Sequence, residues 1–221
     1  MEHLLQSVSD LRPYPLKGIV LVGMGESAWD LMARTFAQGQ WWKRLGYELW
    51  GINASGYAFR CDKVWSIHDA STMQDIFDEL DESCPEAPDG VDPTWMRDLP
   101  EVPVVCGEYV KEVKNCLVYP LETVAKAYQT DNFGSTIDYM LAFAGLCPGM
   151  EHIWSYGTDF NFHGREDEIE MRRHCVKYWQ GRLAERGIQC HFPAGSKLLD
   201  DGTYYGFKQE PEFDMEMASG C

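Results

Sequence analysis

Gly18-Ile19-Val20-Leu21-Val22-Gly23-Met24-Gly25-Glu26-Ser27 is the stretch from which the fold is read. The apolar run through Val22 is unbroken. A strand with one wet face would alternate, so this one is buried on both faces, as in a parallel sheet. Glycines then turn the chain. Residues 28–38 follow with Trp29, Met32, Ala33 and Phe36 at helical spacing, which predicts a helix with that stripe turned to the core. Strand, glycine turn and helix form the first half of a βαβ unit.

The pattern extends from there in both directions. Residues 1–16 read as an N-terminal arm, closed by Arg12-Pro13-Tyr14-Pro15. Downstream, apolar runs at 47–52, 63–67, 102–106, 115–119, 152–156 and 188–192 predict further strands. Residues 71–82, 121–128, 135–147 and 166–186 predict helices, with Ile137, Met140, Leu141 and Ala144 inward in one and Met171, Cys175, Tyr178 and Leu183 in another. Residues 83–100 carry four prolines and several acids and read as a long loop or small insertion. The organisation is one domain over 17–207, with an acidic tail at 208–221. The expected fold class is α/β: a Rossmann-like, mostly parallel sheet with helices on both faces.

Composition narrows the function. The chain has 221 residues, 45% of them hydrophobic, enough for a sizeable core. Its formal net charge is -16, which repels phosphate backbones and anionic lipid, so non-specific binding to nucleic acid or membrane is not expected. Eight cysteines occur without any CxxC, most among apolar residues, as buried free thiols do. With no signal peptide and no membrane-length apolar run, the reading is an acidic cytoplasmic protein. Trp41, Trp42, Trp50, Trp65, Trp154 and Trp179 read as core, and Trp95 as exposed.

Ligands of such sheets bind beyond the carboxyl ends of the strands. The first end carries Gly23, Gly25, Glu26 and Ser27: a nucleotide loop or a tight turn with a serine cap. Glu26 puts negative charge where a phosphate would lie and suits a sugar or base instead. The second end carries Asn53 and Ala54, where Asn53 is either a base or ribose contact or a turn residue. The third carries His68 and Asp69: a helix cap at Asp69, or a pair for proton transfer or metal binding. Ser135 and Thr136 open a helix and suit a phosphate or simple capping. Tyr156, Gly157 and Asp159 follow the sixth strand, with His163 just beyond. Glu168 and Arg173 form either an ion pair or ligand contacts.

In order and spacing, the segments GMGES (23–27), GIN (51–53), HD (68–69), YPLETV (119–124), FGSTIDYMLAFA (133–144) and SYGTDF (155–160) resemble a group of Rossmann-like proteins. The group includes archaeal 6-hydroxymethylpterin pyrophosphokinase-like proteins and bacterial CMP-sialic-acid-dependent sialyltransferases. The chain looks more closely like small tailed-phage proteins of that group, with Glu168, Arg173, Tyr178-Trp179 and IQCHFP (188–193) matching their final segments. The resemblance implies that Gly23, Gly25 and Ser27 form the first nucleotide loop and that Asn53 contacts the nucleoside. It implies that Ser135 and Thr136 hold the base or phosphate end, and that Gly157 and Asp159 close the site. Glu26 stands where the group usually has proline. A host-cytoplasm location follows if the protein is phage-encoded.

Three functions fit. The first is a nucleotide-binding transferase, chiefly glycosyl transfer from a nucleotide-sugar. There Ser135, Thr136 or the Tyr156 hydroxyl would meet the leaving phosphate, and His163, ahead of His174 or Asp159, would serve as base. The second is a pterin-type diphosphotransferase with Mg²⁺ on Asp69 and Asp159. The third is a phage protein that binds or sequesters a nucleotide without turnover. No resident metal site is assigned, a small-molecule nucleotide is the expected partner, and a homo-oligomer is compatible with the sequence.

Overall fold

A computed structural model describes residues 9–68, 101–159 and 166–192, without the side chains of 9, 10, 57 and 166–169. The expected helix at 71–82, the loop at 83–100, Trp95, Asp69, His163 and the acidic tail lie outside the described residues.

The described elements are β1 (Ser9–Asp10), β2 (Gly18–Val22), α1 (Ala28–Gln38), α2 (Trp41–Arg44), β3 (Glu48–Ile52), α3 (Ser55–Ala58), β4 (Lys63–Ser66), β5 (Val104–Cys106), β6 (Cys116–Val118), α4 (Leu121–Tyr128), α5 (Thr136–Ala144), β7 (His152–Tyr156), α6 (Glu166–Ala184) and β8 (Gln189–His191). They build an eight-stranded sheet in the order β1-β6-β5-β4-β3-β2-β7-β8. Every pairing is parallel. The chain steps outward from β2 through β6, then crosses back to place β7 on the other side of β2. The order therefore reverses between β2 and β7, where such folds keep their ligand crevice.

Helices cover both faces, so the α/β Rossmann-like class is observed. One face packs Ile19, Leu21, Trp50, Trp65 and Ile153 under α4, α5 and α6. The other packs Val20, Val22, Leu49, Val64 and Val104 under α1 and α2. Alternate residues of β2 thus serve opposite cores, which is why its apolar run has no polar break. Trp50, Trp65 and Phe143 form the centre of the first core, with ring centroids 4.9 Å and 5.5 Å apart for Trp50–Trp65 and Trp65–Phe143. Such aromatic contacts add to the burial of large apolar area.

The end of the arm packs onto the sheet. Ser9–Asp10 pairs with β6. Leu11 and Leu16 are buried. The Tyr14 hydroxyl donates to Glu48 Oε2 at 2.6 Å. That oxygen also accepts from Trp50 Nε1 at 2.7 Å and Lys63 Nζ at 3.0 Å, joining the arm to β3 and β4.

Two helix faces differ from expectation. On α1 the buried residues are Ala28 and Leu31, while Trp29 is 69% and Phe36 86% exposed. The apolar stripe points outward because α1 approaches the sheet through its smallest residue: a Cβ on Gly157 would lie 3.1 Å from that of Ala28. A tryptophan does not fit that gap. On α6 the inward residues are Cys175, Val176, Trp179 and Leu183, and Met171 is exposed. Cys61, Cys106, Cys116, Cys147 and Cys175 are free and buried, as the composition suggested, and Cys190 is free and half-buried. Of the tryptophans read as core, Trp154 is half-buried and the rest are buried.

Candidate functional site

At the switch point the loops after β2 and β7 interlock. Gly23 N–H donates to Tyr156 O at 2.8 Å and Gly25 N–H to Gly157 O at 2.9 Å. The approach requires glycine. A Cβ on Gly25 would sit 2.5 Å from Asp159 Oδ2, and one on Gly157, whose φ is +67°, 2.5 Å from Gly23 O.

Ser27 and Asp159 fasten the two loops. The Ser27 backbone N–H donates to Asp159 Oδ2 at 2.7 Å, and its hydroxyl donates to Oδ1 at 2.5 Å. Ser27 Oγ in turn accepts Gly157 N–H at 2.7 Å. Asp159 is 3% exposed and both its oxygens are engaged. The carboxylate also lies at the positive end of α1, a favourable place for negative charge. The serine caps, but across the crevice rather than on its own helix. Glu26 and Met24 point to solvent.

Beside this lies the end of β3. Asn53 holds φ +49°, a left-handed value that asparagine tolerates better than most residues. Its N–H donates to Trp65 O at 2.9 Å. Its Oδ1 is buried without a hydrogen-bond partner. A buried acceptor left open is costly. The next turn is fixed by Ser55, whose Oγ donates to Val22 O at 2.6 Å and accepts Ile52 N–H at 2.7 Å. Ala54 is half-buried in that turn, and His68, at the end of β4, is exposed.

On the α4–α6 face, Ser135 and Thr136 open α5. Ser135 Oγ donates to Asp138 Oδ2 at 3.0 Å and Gly134 N–H donates to the same oxygen at 2.8 Å. Asp138 is fully buried and its Oδ1 has no hydrogen-bond partner. Burial pushes its carboxyl up to about 6, against the hydrogen bonds from Gly134 and Ser135 and the charge of Arg172. The loop before α5 is pinned by α6: Trp179 Nε1 donates to Asn132 O at 2.8 Å, and Cys175 Sγ lies 3.3 Å from Asn132 Oδ1. Asp138 was not among the sequence candidates. Its signal was legible as the serine-x-x-acid pattern at the head of an apolar helix.

The switch-point loops, Asn53 and the start of α5 all belong to the carboxyl-end rim. Tyr156 faces elsewhere: its hydroxyl accepts from Arg34 Nη1 at 3.1 Å in the α1-side core. Ser135 is on the opposite face. Arg173 is half-buried on α6; the side chain of Glu168 lies outside the description. A cleft of about 830 Å³ opens on the same rim at its far edge, between β1 and β6, lined by Leu11, Arg12, Pro13, Tyr119, Leu121 and Thr123 among others. Four strand spacings separate it from β2, roughly 19 Å. The chemistry-bearing loops are at the switch point, so the candidate site is placed there. Among the described residues no three His, Cys, Asp or Glu side chains gather to hold a metal, and no helix is long and apolar enough to cross a membrane.

No protein-family model and no curated protein matches the chain. Among solved structures it is similar to the sialyltransferase CstII from Campylobacter jejuni, in complex with the substrate analogue cytidine-5'-monophosphate. That likeness has 12% identity and a TM-score of 0.42 over 80% of this chain and 79% of that one. At that score it adds nothing to what the sheet order establishes.

Proposed function

We propose that the chain binds a nucleotide at the β2/β7 switch point and transfers a glycosyl group from a nucleotide-sugar. The observation that carries this reading is the open acceptor on Asn53, next to the interlocked glycine loops. A nucleoside offers what that acceptor lacks, through its ribose hydroxyls or exocyclic amine. Ser135 Oγ donates to Asp138, so at the head of α5 the Thr136 hydroxyl and the helix-dipole field would meet an anionic leaving group.

Within this proposal Asp159 is a positioning residue. Its carboxylate is committed to Ser27 and fixes the chain at residue 159, four positions before His163 in sequence. His163 would take the proton from the acceptor hydroxyl as the glycosyl bond to the nucleotide phosphate breaks. The Mg²⁺-dependent diphosphotransferase reading asks Asp159 for a metal bond, in competition with both Ser27 donors.

The test is a melting panel of CMP, CMP-sugars and UDP- and GDP-sugars, with and without Mg²⁺. A ligand at 100 times its Kd stabilises by about 2.7 kcal/mol, or roughly 5–11 °C for a chain of this size. The proposal expects such a shift without Mg²⁺, and its loss in Asn53→Ala. A shift only with Mg²⁺ favours diphosphotransfer. A metal-free shift with no donor turnover favours sequestration. No shift with any nucleotide sinks the ligand assignment.

A further inference from the structure

Helix α1 turns an apolar stripe away from its own core. Trp29 and Phe36 are 69% and 86% exposed, and Met24, in the loop just before the helix, is 64% exposed. Met32 and Ala33 lie between them on the same stripe, half-buried and exposed respectively. Other large exposed apolar side chains among the described residues, such as Leu45, Tyr109, Leu121 and Met171, belong to other segments of the chain. A patch of several hundred Å² on one helix is the kind that marks an interaction site.

We propose that this face docks a second copy of the chain, as an antiparallel pair of α1 helices around a two-fold axis. The stripe is its own complement. With the axis between Met32 and Ala33, Trp29 of each copy lies opposite Phe36 of the other, and Met32 opposite Ala33. Large rings meet large rings at the two ends. The small Ala33 at the centre lets the helices approach to the 8–10 Å typical of packed pairs. A two-fold contact demands such self-complementarity.

Charge favours the same occupant. The chain carries a formal net charge of -16, which opposes self-association in general. Helix α1 has one acid, Asp30, and one base, Arg34, and so is locally neutral. Arg34 is held over Trp41 at 3.7 Å and bonded to Tyr156. In the antiparallel register Asp30 falls opposite Thr35, so no like charges meet. The same neutrality gives an anionic membrane nothing to attract, and a convex helix face offers no pocket for a small apolar ligand.

Area sets the strength. At roughly 200 Å² for a large aromatic side chain, Trp29 and Phe36 together expose roughly 300 Å² per copy. Two copies then bury roughly 600 Å² of aromatic surface, and Met24, Met32 and the polar flanks bring the total to about 1,000–1,200 Å². That is the lower end for a specific interface, so the pairing is expected to be weak and to depend on concentration.

Sedimentation of the full chain between about 1 and 200 µM tests this. The expected result is a mass that rises with concentration towards twice the chain's 25.3 kDa. Added salt strengthens the association, because it screens two like-charged bodies. Trp29→Glu and Phe36→Glu each weaken it at least tenfold without changing the melting temperature of the monomer. Phe36→Gln, which adds no charge, weakens it in the same direction. A monomer at every concentration overturns the proposal, as does a dimer indifferent to all three substitutions. So does a monomer that Phe36→Glu destabilises by several degrees, because the face is then covered by the chain's own residues.

Discussion

Asp159→Asn keeps the shape of the side chain that closes the β2/β7 crevice and removes its charge. In the native protein the carboxylate accepts two hydrogen bonds, from the backbone N–H and the hydroxyl of Ser27. An amide has one acceptor oxygen. If it faces the Ser27 N–H, the NH₂ group donates to Ser27 Oγ. That oxygen already accepts Gly157 N–H, and its own proton is left without a partner. The N–H bond drops from charge-assisted to neutral, costing about 1 kcal/mol, and the stranded hydroxyl proton adds about 1–2 kcal/mol. Loss of charge at the head of α1 adds about 0.3–1 kcal/mol. The sum is about 2–4 kcal/mol, a fall of roughly 4–16 °C in Tm. Urea and thermal melts read it directly. Ser27→Ala costs a similar amount, and the double variant costs less than the two together by about 1–2 kcal/mol, because both act on one network. A loss under about 0.5 kcal/mol for Asp159→Asn, or strict additivity with Ser27→Ala, refutes the fastening described here.

Two further substitutions respond to pH in opposite directions. Burial raises the Asp138 carboxyl to about 6. The unfolded chain therefore gives up that proton first as pH rises, and the folded state loses stability between about pH 4 and 6, on the order of 3 kcal/mol. Asp138→Asn removes that loss, so its Tm relative to wild type improves from pH 4 to pH 7; a constant difference across that range contradicts the assignment. At Glu48, burial pushes the carboxyl up, but the hydrogen bonds from Trp50 and Tyr14 and the charge of Lys63 outweigh it and leave it below its ordinary value. Its contribution is present above the unfolded value and disappears as pH falls. Glu48→Gln accordingly costs about 1–3 kcal/mol at pH 7, a cost that starts to shrink only as pH falls below the unfolded carboxyl's value of about 4.3 and goes on shrinking as the folded carboxyl takes up its proton; a cost that does not change across an acid series rules this account out.

Where a segment's partners follow from its own pattern, the sequence was a good guide. β7 (His152–Tyr156) and α4 (Leu121–Tyr128) begin and end where the apolar run, Pro120 and the helical spacing said. Strands β5, β6 and β8 are shorter than their apolar runs by one or two residues at an end. Helix α1 shows what spacing leaves undetermined. Periodicity finds Trp29, Met32, Ala33 and Phe36 on one stripe, but which stripe meets the sheet depends on how close Gly157 comes to Ala28. The site divides in the same way. Gly23, Gly25, Ser27, Asn53, Ser135, Gly157 and Asp159 were legible as strand-end and helix-start residues. That the glycines serve loop against loop, and that Asp159 spends both oxygens on Ser27, depends on a crossing between residues some 130 apart in the chain. Tyr156, one of three hydroxyls weighed for the leaving phosphate beside Ser135 and Thr136, is the last residue of a buried strand and turns its ring into the α1-side core.

The position of β2 bears on how the protein is made. Its strand neighbours are β3, soon after it, and β7, whose residues 152–156 pair with 18–22. During synthesis at roughly 5–20 residues per second, about 130 residues must emerge after β2 before its second edge is closed, a wait of roughly 7–27 s. Through that interval an unbroken apolar strand has an open flank, the kind that recruits neighbouring nascent chains. Fragments ending before residue 150 are therefore expected to be insoluble, while a chain that reaches Tyr156 can seal the sheet from the middle.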